Sequence, residues 1–148
     1  MAARRLTEAQ LWSRLTRKEF APEDVRTTIA WCKAEGYLDD ALFARLYVDG
    51  RRKAVGDARL IGELVRRGVD REVASGVVSR SDHTQDQRLE GALEALFRTR
   101  PLTTYASAAR RLERLGFPAS AIYRQLRRHA SRFASVASGG EDSSAPPE

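Results

Sequence analysis

Leu60-Ile-Gly-Glu-Leu-Val-Arg-Arg-Gly-Val-Asp70 closes a helical apolar stripe with a glycine, one apolar residue and a fresh helix start. Forty-eight residues later, Ala108-Ala-Arg-Arg-Leu-Glu-Arg-Leu-Gly-Phe-Pro118 goes through the same steps, placing Leu64 on Leu112, Gly68 on Gly116 and Val69 on Phe117. A shift of 49 residues towards the N-terminus superposes Leu60 on Leu11, Leu64 on Leu15, Val69 on Phe20 and Val78 on Ile29. Capping rules shared by all helices make any two helix pairs look alike, but a register held across three stretches argues for a repeated unit. Pro22, Asp70 and Pro118 open the second helix of each copy, and the prolines suit a first turn because no N–H is needed there.

The remaining punctuation is helical as well. Thr7-Glu-Ala-Gln10 is a capping-box pattern ahead of Leu11 and Leu15. Val25, Ile29 and Cys32 form the stripe of a second helix that ends at Gly36, a residue suited to a left-handed cap. Asp39 or Asp40 can cap a third helix, expected over 40–54, which carries Phe43, Leu46 and Tyr47. Its counterpart is expected over 83–98, and helices over 104–115 and 118–133 make up the last copy. No window alternates like a strand between hairpin turns. The expected fold is therefore all-α, with about three tandem three-helix units forming an elongated, curved array. Its divisions are an N-terminal lead (1–6), repeats at 7–55, 56–103 and 104–134, and a tail over 135–148. That tail is small, polar and rich in Gly and Pro, too poor in apolar area to order itself.

Composition narrows the function. The formal net charge is +6 over 148 residues, and 23 arginines stand against three lysines. Residues 104–134 hold seven arginines and one acid, Glu113, whereas 7–55 and 56–103 are nearly balanced. A local cationic surface suits an anionic partner, nucleic acid first, although a solvated Arg-rich face gives the same count. One cysteine, Cys32, excludes an internal disulfide and fits a reducing compartment. With no apolar run long enough for a membrane span and no export signal, a cytoplasmic protein is expected.

Catalytic or cofactor chemistry finds no foothold. His83 and His129 lie in different repeats, and no metal-ligand spacing, phosphate loop or dinucleotide fingerprint is present. The expectation is a non-enzyme without cofactor or metal. His129, four residues before Phe133, suits a packed histidine, and Cys32 a small buried hydrophobe. Asp39-Asp40 needs no general acid or base, since a helix start welcomes carboxylates, though an exposed acidic step can also dock a cationic partner. On helix 118–133, Arg124, Arg128 and Arg132 recur every four residues opposite Ile122, Leu126 and Phe133, with Arg127 beside them. Arg110, Arg111 and Arg114 decorate the preceding helix. Such a stripe can follow a phosphate backbone or an acidic protein groove without reading bases. Arg51-Arg52-Lys53 and Arg66-Arg67 end helices, where dipole compensation and partner contact explain them equally well.

One segment is more specific. Glu35-Gly-Tyr-Leu-Asp-Asp-Ala-Leu-Phe-Ala-Arg-Leu-Tyr-Val-Asp-Gly-Arg-Arg-Lys53 closely resembles the hallmark of the RecX family of bacterial recombination regulators. Gly56-Asp-Ala-Arg-Leu-Ile-Gly-Glu-Leu-Val-Arg-Arg-Gly-Val-Asp70 resembles the element that follows it, and Leu115-Gly-Phe-Pro with Ile122 and Leu126 resembles the last repeat. The resemblance covers residues 7–134. It implies tandem three-helix repeats, binding to the RecA recombinase filament on single-stranded DNA, and inhibition of recombination, strand exchange and ATP hydrolysis, in the setting of DNA repair and the SOS response. Direct binding to single-stranded DNA is expected to be weak and non-specific, and the chain to be a monomer. The residues expected at the partner surface are Tyr37, Asp39, Asp40, Arg51, Arg52, Arg59, Arg66, Arg67, Arg110, Arg111, Arg124, Arg127, Arg128 and Arg132. Two positions depart from the pattern: Glu19 where the other copies have Gly68 and Gly116, which predicts an irregular first turn, and Asp57 where many members have proline. The alternative is a helix-turn-helix regulator of duplex DNA, against which stands the lack of a helix bearing base-reading Asn, Gln and Arg. A passive helical scaffold is the third reading.

Overall fold

The computed structural model describes residues 5–137, and their side chains as far as Phe133. Among the described residues every regular element is a helix: α1 (Glu8–Arg17), α2 (Pro22–Ala34), α3 (Asp40–Gly50), α4 (Asp57–Arg66), α5 (Arg71–Ser79), α6 (Gln85–Thr99), α7 (Tyr105–Arg114), α8 (Ala119–Arg128) and α9 (Ala130–Ala137). The all-helical class expected from the sequence is the one observed. Most of the segment expected as a tail lies outside the described residues, while 135–137 continue α9.

Helix starts follow the side chains written for them. Thr7 and Gln10 close the capping box, the Gln10 N–H donating to the Thr7 hydroxyl at 3.1 Å and the Thr7 N–H to the Gln10 amide oxygen at 3.0 Å. Asp39, rather than Asp40, caps α3 by accepting the Leu42 N–H at 3.0 Å. Asp70 and Thr104 do the same for α5 and α7. Pro22 occupies the first turn of α2, and Pro118 precedes α8 without a side-chain cap.

Helix ends explain the spacing of the sequence pattern. Glu19, Gly68 and Gly116 all have positive φ, at 65°, 98° and 91°. The next residue, Phe20, Val69 or Phe117, donates its N–H back to the carbonyl of Leu15, Leu64 or Leu112. The residue of positive φ donates to Thr16, Val65 or Glu113. This is the Schellman arrangement, in which the last apolar residue of the helix and the one after the cap approach each other. The expected irregularity at Glu19 is therefore corrected: the turn keeps the geometry of the other two, with a side chain carried in a backbone region that disfavours one.

The chain packs as two compact units. The first comprises residues up to Lys53 together with Asp57–Thr84. In it α1 packs on α2 around Val25, Ile29 and Leu38, with Leu11, Leu15 and Cys32 partly buried against them. In the same unit α5 packs on both α3 and α4, burying Ala44, Leu60, Leu64, Ala74, Val77 and Val78. The N-terminus of α1 is pinned to α3 and α4. The Glu8 N–H donates to the Asp40 carboxylate at 3.0 Å, and the buried Thr7 hydroxyl to the Arg67 carbonyl at 2.6 Å. Leu46, expected on the apolar stripe of α3, is instead half exposed.

The second unit comprises Ala54–Gly56 and the residues from Gln85 onward. Its core gathers Leu89, Leu93, Leu96 and Phe97 of α6, Leu112 of α7, Ile122 and Leu126 of α8, and Phe133 of α9. The expected single helix over 118–133 is broken at His129. There α8 ends (φ −109°, ψ 19°), and the His129 N–H is shared between the Gln125 and Leu126 carbonyls, a three-residue tightening that re-aims the chain. The re-aimed Phe133 ring sits 5.1 Å from Phe97 and 5.6 Å from Tyr105. His129 is half-buried, its ring 6.4 Å from Phe97.

Candidate anion-binding site

Charge in the first unit is organised around one acid. Glu63 of α4 is buried, and its carboxylate accepts from the Tyr47 hydroxyl at 2.7 Å, from Arg51 Nη2 at 2.8 Å and Nε at 3.0 Å, and from Arg59 Nε at 3.4 Å. The forked Arg51 bond holds the carboxyl at about 2, far below its ordinary 4.5; burial opposes the shift, and Tyr47 and Arg59 reinforce it. Burial, then the bond to Glu63, raises the Tyr47 phenol, and the bond to Glu63 raises Arg51 further still. Arg51 and Arg59, expected to face a partner, are thus tied to an internal carboxylate. The signal was in the sequence: Tyr47 and Arg51, and Arg59 and Glu63, are each one helical turn apart.

Beside this node lies a cleft of about 670 Å³. Arg14 and Arg17 from the last turn of α1, Arg66 and Arg67 from the end of α4, and Arg5 ahead of α1 line it, together with the aromatic rings of Phe43 and Tyr47. Among the described residues no acidic side chain lines it. The Phe43 and Tyr47 rings are stacked with centroids 6.5 Å apart. The Arg67 guanidinium lies 4.5 Å from the Tyr47 ring centroid and donates to the Glu63 carbonyl at 3.0 Å. The pinning of α1 through Thr7 and Glu8 is what brings Arg14 and Arg17 opposite Arg66 and Arg67. Five arginines lining one concave site without an acid among them favour a polyanion. Segment totals hid the site, because 7–55 is nearly neutral overall. Arg14 and Arg17, three residues apart on α1, were the available signal.

The expected arginine stripe of the second unit is divided. Arg124 and Arg128 share α8, whereas Arg132 stands on α9 beyond the break. Arg124 pairs with Asp86 at 3.1 Å, and Arg132 pairs with Glu94 at 2.7 Å with its guanidinium 3.9 Å from the Phe97 ring centroid. Arg110, Arg127 and Arg128 are exposed, and Arg111 is half-buried. In the first unit Arg52 is exposed, and Asp39 and Asp40 serve α3 and the Glu8 N–H as described. Tyr37 is 66% exposed and leans on Trp31, itself exposed, at a centroid distance of 5.6 Å. Leu38, next to it, is buried. Among the described residues no group of three or more His, Cys, Asp or Glu could hold a metal ion, and no helix is long and apolar enough to cross a membrane.

Comparison with known proteins supplies the family. No family model matches the chain, and no solved structure matches it. Among curated proteins, the regulatory protein RecX of Thermus thermophilus is 33% identical over 118 residues, covering 80% of this chain and 78% of the relative. That of Deinococcus radiodurans is 30% identical over 138 residues, covering 90% of this chain and 66% of the relative. That of Pectobacterium atrosepticum is 43% identical over 61 residues, 40% of this chain and 38% of the relative. In that match, and in the one to the Cronobacter sakazakii protein, the chain spans half or less of the relative's length. The chain belongs to the RecX family of regulatory proteins.

Proposed function

We propose that this chain binds the RecA recombinase filament on single-stranded DNA and inhibits recombination, strand exchange and the ATP hydrolysis that accompanies them. The observation that carries the reading is the five-arginine cleft of the first unit, an anion site in a member of a regulatory family whose hallmark segment, 35–53, forms part of the same unit. The anion it suits is an extended phosphate chain or an acidic protein groove, since the charge is spread over three chain segments rather than focused on one point. The exposed Tyr37–Trp31 pair supplies an apolar contact of the kind that anchors protein partners. In this reading the chain acts in the cytoplasm, has no catalytic step of its own, and touches single-stranded DNA weakly and without sequence preference. Its functional body is three tandem units, 7–55, 56–103 and 104–134.

The test adds the purified chain to RecA filaments on single-stranded DNA with ATP and follows hydrolysis and filament persistence. Hydrolysis falls and filaments shorten if the reading is right. Unchanged hydrolysis and filament length at several-fold molar excess over filament protomers refute it. A sharp preference for one duplex sequence in direct binding would point instead to a duplex-reading regulator.

A further inference from the structure

Two docking contacts within the chain obey one rule. Thr7, ahead of α1, donates its hydroxyl to the Arg67 carbonyl, the last carbonyl before the left-handed Gly68. Gly56, ahead of α4, donates its N–H to the Leu115 carbonyl at 2.8 Å, the last before the left-handed Gly116. Thr7 and Gly56 are 49 residues apart, and Arg67 and Leu115 are 48 apart, so the donors and acceptors share the sequence register. Each contact is close enough to require glycine. A Cβ on Gly68 would lie 2.4 Å from the Ala9 Cβ, and one on Gly56 would lie 2.0 Å from the Gly116 carbonyl oxygen.

The same register assigns one further acceptor and one further donor. The acceptor is Lys18-Glu19-Phe20, equivalent to Arg67-Gly68-Val69 and to Leu115-Gly116-Phe117. Its geometry is that of the other two, but Phe20 is 53% exposed where Val69 and Phe117 are 2% and 3%. The donor is Thr104-Tyr-Ala106, which repeats Thr7-Glu-Ala9 in both the capping threonine and the alanine two residues on. Leu102, just ahead of it, is 80% exposed. The two surfaces are complementary and belong to different units, so a second copy of the chain is a chemically matched occupant for each. One feature spoils the match. Glu19 carries a Cβ where Gly68 must have none, and the residue it would meet is Ala106, the equivalent of Ala9.

We propose that the edge at the end of α1 is a docking surface for the Thr104–Ala106 edge of a second copy, and that the Glu19 side chain keeps it closed. Head-to-tail contacts of this type build rings where the rotation closes and open chains where it does not, and either outcome adds further copies to the chain. A repeated architecture that exposes its own docking edge therefore needs a stop at its end. The backbone strain carried by Glu19 is a local cost, and among the described residues no hydrogen bond or ion pair of its side chain offsets it. Exclusion of a second copy explains why that position is not glycine.

Sedimentation velocity across a concentration series tests this on four full-length chains. Wild type and Glu19→Ala, which removes the charge but keeps the Cβ, stay at the mass of one chain, 16.5 kDa. Glu19→Gly rises with concentration to about twofold that mass or more, as a heterologous contact requires. Glu19→Gly combined with Ala106→Glu, which rebuilds the obstacle from the donor side, returns to the mass of one chain. Identical masses for wild type and Glu19→Gly at every concentration overturn the proposal. So does association of Glu19→Ala to the extent of Glu19→Gly, or of the double variant.

Discussion

Glu63 holds Tyr47, Arg51 and Arg59 through one carboxylate, and the balance of effects there fixes a dependence on acid. Its carboxyl sits at about 2 in the folded chain against an ordinary 4.5. A lowered folded value means that stabilisation is complete above the unfolded value and is lost as pH falls from about 4.5 towards 2. A displacement of that size corresponds to about 3 kcal/mol. Urea unfolding of the wild type and of Glu63→Gln at pH 7 and at pH 2.5 isolates this contribution from that of other carboxylates. The variant is weaker at pH 7 and the gap narrows in acid; a gap of constant size would mean that Glu63 does not carry the effect. Glu19 is the other residue with a single-site consequence. Replacing it by glycine relieves a left-handed L-residue and raises stability by about 1 kcal/mol, measured as a higher urea midpoint with unchanged slope at concentrations where the variant sediments as one chain.

At the scale of elements, the starts and ends of helices were legible and their faces less so. The capping box at Thr7, the cap at Asp39 and the left-handed turns at Gly68 and Gly116 follow from local backbone needs, which short sequences encode directly. Glu19 shows the limit: the register of Leu15 and Phe20 fixed the turn although the residue type opposed it. Helix 118–133 shows another. Nothing local at His129 forbids a continuing helix, and the break is set by Phe133 reaching Phe97 and Tyr105, a tertiary contact without short-range trace. The candidate site was legible only in part, because charge totals by segment reported Arg110–Arg132 and missed a cleft assembled from α1, α4 and the chain ahead of α1. The pinning of α1 that assembles it is open to test. Thr7→Ala removes both the cap and the bond to the Arg67 carbonyl and costs about 2 kcal/mol, whereas Thr7→Ser keeps both bonds and costs less than half as much. Equal losses in the two variants, measured by chemical denaturation, would mean that the methyl group and not the hydroxyl holds α1 in place.

For the whole molecule, the proposed binding to single-stranded DNA has two candidate units, because both carry arginine and net charge alone does not choose. In the second unit Arg124 and Arg132 already have acidic partners, and exposed ion pairs of that kind must break before either guanidinium is offered to DNA. In the first unit Arg14, Arg17 and Arg66 line one concave surface without an acid among its lining residues. The cleft should therefore dominate. Each arginine that neutralises a phosphate of single-stranded DNA contributes about 0.7 to the slope of log affinity against log salt. Replacing Arg14, Arg17 and Arg66 together by Ala is expected to flatten that slope by about 2, and to weaken binding to single strands of any sequence alike. Replacing Arg110, Arg127 and Arg128 removes the same formal charge from the second unit and is expected to change the slope by less than half as much. Fluorescence anisotropy with a labelled oligonucleotide over a salt series reads both triple variants. Circular dichroism confirms that each retains its helices, as substitutions of exposed side chains should allow. Equal slopes for the two variants would mean that binding follows total charge. A larger loss from the second unit would move the phosphate path to α7 and α8, leaving the cleft to an acidic protein surface.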